Sequence, residues 1–358
     1  MRIELWVILA YLLVLFCFNF WRSFKIKSQE DFMVAGRTLS MPVLVFTLVC
    51  TWIGSGTFIA GAEFSYNAGF SALWMAAGAW VGIVVIYFLA ARIRTFGQYT
   101  IGDILEVRYG KFARLFGAFA LIISFTAIVS YQFRAGGLIL NIITENAVPV
   151  FWGQIIAAAF VIIFTALAGM MAVAHTDLFN GIIIVLACVI AVPFVVNAAG
   201  GLEQATQVLP AGHFDVVNEN FGQYPWLKAG SYFLATMLLL LGVQSMYQKF
   251  YAARTPGEAK NAVAWWVLGT IVVETVVVVI AVFAAVRFWG SGVDPATMVL
   301  QAAFHMVPPL VGLLLLGAAC VVVISTAMNY LLSPTTNIMR DMYQRFINPE
   351  ADARTMIV

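Results

Sequence analysis

Nine stretches of mostly apolar residues run through this chain, near 3–21, 41–65, 70–91, 113–143, 150–170, 177–199, 228–248, 262–288 and 307–333. Each approaches the ~20 residues that an α-helix needs to cross a hydrocarbon core. Lipid offers no hydrogen-bond partners, so a spanning segment must pair its own backbone groups. The predicted fold class is therefore an all-α polytopic membrane protein, a bundle of about nine transmembrane helices. Composition agrees, because only 10% of the residues are charged, against about 25% in a soluble domain. The 113–143 run exceeds what a bilayer requires and is expected to tilt or to extend beyond it. The first run reads as a retained helix rather than a signal peptide. Glu4 sits beside Arg2 in its n-region, and it ends in Asn19-Phe20-Trp21-Arg22 without a small-residue cleavage site.

Lys and Arg mark the cytoplasmic side of such a bundle. One set of alternate loops and helix ends holds Arg22, Lys25, Lys27, Arg37, Arg92, Arg94, Arg108, Lys111, Arg114, Lys249, Arg254, Lys260, Arg340, Arg345 and Arg354. The opposite set holds Arg2, Arg134, Lys228 and Arg287. This division predicts a multi-pass protein of the cell membrane, N-terminus outside and C-terminus cytoplasmic. Residues 200–227 read as an extracellular connection, and Tyr99–Gly110 as a short amphipathic cytoplasmic helix. A polar cytoplasmic tail, 335–358, closes on Met356-Ile357-Val358, an apolar turn that reads as the start of a further helix. The net charge of +2, with no basic stripe interleaved by aromatics, gives nucleic acid no support as a partner. The four cysteines lie inside apolar runs and read as buried thiols.

Several places carry polar chemistry into the apolar runs. The second run contains Cys50-Thr51-Trp52-Ile53-Gly54-Ser55-Gly56-Thr57 close to its midpoint. Each glycine weakens a helix by roughly 1 kcal/mol relative to alanine. The cluster reads either as a break, whose freed carbonyls and amides take ions or substrate, or as a small-residue packing face. The ninth run carries Val322-Val323-Ile324-Ser325-Thr326. Its adjacent hydroxyls either bond back to carbonyls one turn earlier or present hard oxygens to a small cation. Glu274 lies near the middle of its run, where a charge costs at least ~2.5–3.5 kcal/mol on insertion scales. It reads as a functional residue facing the bundle interior, or as a protonated acid bonded to a neighbouring helix. Asp177 is placed to start a helix, where an N-cap is the simpler reading. Gln244 is polar near a helix end, and Arg134 is expected to snorkel. The chain has no Gly-x-Ser-x-Gly, His-Glu-x-x-His or Walker pattern, so no enzyme is predicted and no cofactor is called for.

Five segments, in order, resemble the sodium/solute symporter family. They are Asp31-Phe32-Met33-Val34-Ala35-Gly36-Arg37-Thr38-Leu39 leading into the glycine-broken second run, then Tyr99–Gly110, then Ala168-Gly169-Met170-Met171-Ala172-Val173-Ala174-His175-Thr176-Asp177. Gln248-Lys249-Phe250-Tyr251-Ala252-Ala253-Arg254-Thr255-Pro256-Gly257-Glu258-Ala259-Lys260 follows, and Ser325-Thr326-Ala327 through Arg340-Asp341-Met342-Tyr343 completes the set. The resemblance implies a leucine-transporter-type inverted-repeat bundle around a central sodium and substrate site. On that pattern 3–21 is a leader helix, about 41–199 the first repeat and about 228–334 a partial second repeat, all within one transporter domain.

By the same resemblance, sodium is held by the backbone carbonyls of Cys50, Ile53 and Val322 and the hydroxyls of Ser325 and Thr326. Asp177 lines the exit of sodium to the cytoplasm. Thr51, Thr57, Gln244 and Glu274 become candidates for substrate binding or coupling. The implied function is sodium-coupled import of a small organic solute by alternating access, with Na+ as coupling ion and the bilayer as surroundings. Family members run about a third longer, so the second repeat is expected to be incomplete here. Leu238-Leu239-Leu240-Leu241, and Thr270 in place of a lysine, depart from the sugar-carrying members. The alternative is a membrane sensor or regulatory module that resembles a symporter. The solute, the stoichiometry and the oligomeric state are not written in these motifs.

Overall fold

Helix is what the apolar runs adopt, as the absence of water in a bilayer requires. The computed structural model describes residues 3–24, 28–96, 99–219 and 221–351. Arg2, Lys25, Lys27, Arg354 and the closing Met356-Ile357-Val358 lie outside these. The helices are α1 (Ile3–Ser23), α2 (Gln29–Val34), α3 (Met41–Trp52), α4 (Gly61–Ala68), α5 (Leu73–Phe96), α6 (Ile101–Tyr109), α7 (Lys111–Ile143), α8 (Val150–Ala198), α9 (Gly201–Val208), α10 (Pro225–Leu241), α11 (Gln244–Ala252), α12 (Pro256–Phe288), α13 (Met298–His305) and α14 (Pro309–Thr336). Among the described residues seven helical segments are long and apolar enough to cross a membrane, and the bent pair α10–α11 makes an eighth. The expected second span is also present, but it is cut after Trp52 into pieces too short to span alone.

Three spans differ from the sequence reading. α8 is one helical run broken at Gly169, whose φ of 56° and ψ of −178° only glycine adopts readily. The break separates two spans, Val150–Leu167 and Gly169–Ala198. The second of these was expected to begin at Asp177. It begins two turns earlier, so Asp177 sits inside the helix and is not an N-cap. The expected 228–248 helix bends by 41° between α10 and α11, at Gly242-Val243. α14 does not stop near 333; helical turns continue through Asn337–Ile347.

The bundle is apolar on both its inside and its outside. Buried Ile184, Ala187, Ala191 and Val195 on α8 recur at helical spacing and face the core. Outward residues are equally apolar, with Phe116 71% exposed and Phe151 63% exposed. A surface of that kind is stable against lipid, not water. α14 packs between α7 and α8, and α5 packs against α10 and α12. Helix α1 is tied to α8 by the Tyr11 hydroxyl, which donates to Asn180 Oδ1 at 2.7 Å.

One face of the bundle gathers four of the five family-like segments. Leu39 N–H donates to the Ala252 carbonyl (3.0 Å), and Arg254 N–H donates back to the Leu39 carbonyl (3.2 Å). α6 starts with a capping box between Thr100 and Asp103. α7 begins beyond the apolar zone, and its buried Arg114 bonds Glu106 at 2.7 Å, Asp103 at 2.9 Å and Asp341 at 2.7 Å. The Thr100 hydroxyl also donates to Asp341 (2.8 Å). These contacts clamp α6 to the continuation of α14. The Glu106 carboxyl is held below the usual range, chiefly by its hydrogen bond from Arg345 and further by Arg114. On the opposite face, residues 211–219 fold back on the α4–α5 connection. The Asn218 N–H donates to Ser71 Oγ (2.6 Å) and His213 Nε2 lies 2.9 Å from the Tyr66 carbonyl.

Helix α5 lies unusually close to α10, because a Cβ on Gly78 would sit 2.1 Å from the Phe233 carbonyl oxygen. Gly230 on α10 has open space instead. Gly78→Ala is expected to destabilise the protein by about 1–3 kcal/mol through overpacking. Gly230→Ala is expected to be neutral or mildly stabilising. Thermal melts of the two variants in the same lipid check this; equal midpoints would contradict the close approach.

Candidate functional site

Helix α3 ends because Ile53 turns extended (φ −73°, ψ 109°). A widened turn, Gly56–Ala60, restarts the helix. The interruption lies in the apolar zone, where each freed backbone group needs a partner. The Ser55 N–H donates to Gln132 Oε1 on α7 at 3.0 Å. The Thr326 hydroxyl on α14 lies 2.9 Å from the Cys50 carbonyl oxygen and 2.8 Å from that of Ile53. A hydroxyl has one proton and satisfies only one of those carbonyls at a time. Three oxygens thus converge on a point between α3 and α14. The Ser55 hydroxyl, buried at the break, has no protein partner among the described residues.

Gly54 makes the approach of α14 possible. A Cβ there would lie 2.8 Å from Thr326 Cγ2 and 3.0 Å from its hydroxyl. Thr326 is β-branched and stiff, so it does not yield easily. Val322 is buried one turn before Thr326 on the same helix face. Neutral hydroxyl and carbonyl oxygens at this point suit a small hard cation.

A fully buried polar network adjoins this point. Asp177 accepts hydrogen bonds from Thr47 Oγ1 (2.5 Å), from the Ser325 hydroxyl and from Asn329 Nδ2 (2.9 Å). Asn329 in turn accepts from Lys249 Nζ at 2.8 Å, and Lys249 also reaches the Ser245 hydroxyl at 3.3 Å. By sequence Lys249 falls with the basic residues of alternate loops and helix ends. It lies instead fully buried on α11, with its charge relayed to Asp177 through Asn329. Two buried opposite charges, each hydrogen-bonded, offset one another in a way neither could manage alone.

A cavity of about 460 Å³ opens on the other side of the break. Trp52, Gly54, Gly56 and Thr57 form one wall, and Tyr131, Gln132, Glu274, Thr326 and Tyr330 line it further. The structure therefore brings Cys50, Ile53, Ser325 and Thr326 together, with Asp177 one hydrogen bond from Ser325. Thr57 and Glu274 share the cavity. Thr51 does not line it; its hydroxyl bonds back to the Thr47 carbonyl at 2.6 Å. Gln244 is also elsewhere. It accepts from the Ile101 N–H (3.3 Å) and donates to the Ser333 carbonyl (3.3 Å), joining α6, α11 and α14. Gln132, Asn329, Lys249 and Thr47 were not singled out from sequence. A glutamine and an asparagine within apolar spans were the available signal for two of them. Lys249 gave none, lying beside a loop.

Residues 32–358 match the Sodium:solute symporter family, and the chain belongs to that family. It is 24% identical to the sodium/pantothenate symporter of Escherichia coli (strain K12), over 94% of this chain and 71% of that protein. It is 27% identical to the high-affinity proline transporter PutP of Bacillus subtilis (strain 168), over 93% of this chain and 72% of the relative. With the human high affinity choline transporter 1 it shares 25% identity, over 98% of this chain and 63% of the relative. Among solved structures, a Na+-coupled sialic acid symporter in a substrate-bound outward-open state superposes with a TM-score of 0.88 at 15% identity, covering 100% of this chain and 77% of that one. A nucleobase-cation-symport-1 family transporter in a closed conformation gives 0.64 at 14% identity, covering 91% and 70%. The leucine-transporter-type bundle is thus the fold, with α3–α4 and α10–α11 as its interrupted helices.

The buried network sets its own test. Lys249→Met leaves the Asp177 carboxylate without a counter-charge and is expected to lower the thermal midpoint. Adding Asp177→Asn should restore part of the loss, with a coupling of about 0.5–3 kcal/mol between the two changes. Strict additivity in the double-mutant cycle would show that Asn329 does not link them.

Proposed function

We propose that this member of the symporter family imports a small organic solute by alternating access, driven by Na+ and without covalent chemistry. The carrying observation is the convergence of the Cys50 and Ile53 carbonyls on the Thr326 hydroxyl. Sodium bound there would take its oxygens from the broken helix and from α14 at once, with Ser325 and the Val322 carbonyl completing the set. It would hold the two elements together only while present. A ligand that binds one arrangement better than another shifts the population toward it. Thr326 and Gly54 also line the solute cavity, so ion and solute share a wall. Coupling between them needs no long-range path.

Asp177 is proposed to pass sodium inward. Its carboxylate is one hydrogen bond from Ser325 and points toward the network that ends at Lys249. The face bearing Arg94, Arg114, Arg254 and Arg340 is then the cytoplasmic one, in keeping with the basic-loop rule, in a cell membrane. The clamp of Arg114 on Asp341 would close this face while the cavity is open to the other. A sensor built on the same bundle would keep the cavity but need no release path for the ion; the buried Asp177 network beside the site favours a carrier.

Uptake in proteoliposomes with a Na+ gradient tests the site. Thr326→Ala and Gly54→Ala are each expected to raise the Na+ concentration for half-maximal uptake at least tenfold, about 1.4 kcal/mol. Unchanged Na+ dependence in Thr326→Ala would remove the assignment.

A further inference from the structure

We infer that the transported solute carries a cationic nitrogen, which docks in the cavity against the carboxylate of Glu274; the inference rests on the symport reading above. Glu274 lies on α12, 6% exposed, and what it exposes faces the cavity it lines. Its Oε1 accepts the indole N–H of Trp52 at 2.9 Å, and its Oε2 that of Trp80 at 2.7 Å. An indole N–H only donates. Both carboxylate oxygens are therefore used as acceptors, the arrangement that suits the ionised form.

Two neutral donors orient this charge without cancelling it. No Lys, Arg or His is among the residues lining the cavity. Lys249, a basic side chain fully buried in the same bundle, is engaged by Asn329 and Ser245. A buried carboxylate without a counter-charge is costly, and the cavity is the direction from which one can arrive. The walls fit the same visitor. Trp52, Tyr131 and Tyr330 line the space, and aromatic faces attract ammonium groups, quaternary ones included. Trp52 serves twice, fixing Glu274 through its N–H while its ring borders the cavity. A volume of about 460 Å³ is in the range of small-molecule sites.

Charge balance strengthens the argument. Thr326 borders both the proposed sodium point and this cavity, so a cationic nitrogen would otherwise meet Na+ across a short distance of low dielectric. Glu274 supplies the negative charge that lets both bind together. A purely anionic solute would meet the carboxylate instead. Two sources share the required chemistry, a permanent organic cation and a zwitterion, and the test separates them.

The experiment uses the full chain in lipid nanodiscs and reads thermal midpoints in Na+ against K+. Choline serves as the permanent cation, proline as the zwitterion and pantothenate as the anion. A Na+-dependent rise with choline, with proline or with both is expected, and none with pantothenate. Glu274→Gln should weaken that response at least tenfold in apparent affinity while the shift caused by Na+ alone persists. If Glu274→Gln also loses the Na+ shift, Trp80→Phe decides, because it removes one donor and keeps the charge. Weakened solute binding in Trp80→Phe then supports the inference, and unchanged binding overturns it. A response to pantothenate alone, or to none of the three while Na+ still stabilises the protein, also overturns it. Absence of any Na+ shift in the unmodified protein would instead remove the sodium reading.

Discussion

A backbone break inside a bilayer must be satisfied from within the protein, and the organisation of this bundle follows from that constraint. The turn at Ile53–Ser55 frees groups that lipid does not pair. α7 answers with Gln132, and α14 answers with Thr326. For α14 to come close enough, residue 54 has to lack a side chain. Thr326 carries Ser325 beside it, and Ser325 meets Asp177 on α8. Asp177 then requires Asn329 and, through it, the charge of Lys249 on α11. One unsatisfied turn thus recruits residues from five helices: α3, α7, α8, α11 and α14.

The second interruption, between α10 and α11, has a different surrounding. Gln244 follows that bend and joins α6 and the end of α14, close to the Arg114–Asp341 clamp. The two interruptions therefore differ in role. The first is bordered by the convergence of the Cys50, Ile53 and Thr326 oxygens and by the cavity lined by Glu274. The second bends the chain into the segment that carries Lys249 and that pairs, through Ala252 and Arg254, with Leu39 just ahead of α3. Movement of α11 would change the support of Asp177 and the closure of the basic face together. Under the proposed function, release of an ion and opening of that face would be linked through α11.

Much of this was legible from residue pattern. Run lengths showed the spans, and Gly54-Ser55-Gly56 between hydroxyls offered a break as one of two readings, a small-residue packing face being the other. Glu274 stood out because a carboxylate in mid-span is rare; it lines the cavity and is bonded to Trp52 and Trp80 on neighbouring helices. Other features were hidden for definite reasons. Asp177 looked like a helix cap because the single-residue break at Gly169 leaves almost no polar loop to mark it. Lys249 looked like a loop charge because hydropathy does not distinguish a buried, bonded lysine from a solvated one at a helix end. The bend at Gly242-Val243 has a single glycine, where the first break has Gly54 and Gly56. Thr51 resembled a site residue by position alone; its side chain happens to point back along its own helix.

Amide hydrogen exchange in Na+ and in K+ tests most directly whether a cation bridges the broken helix to α14. Slower exchange in Na+ confined to residues around 50–58 and to the Val322–Thr326 turn, and lost in Gly54→Ala, is the predicted result. Exchange in those two segments that is the same in both ions would contradict the bridge.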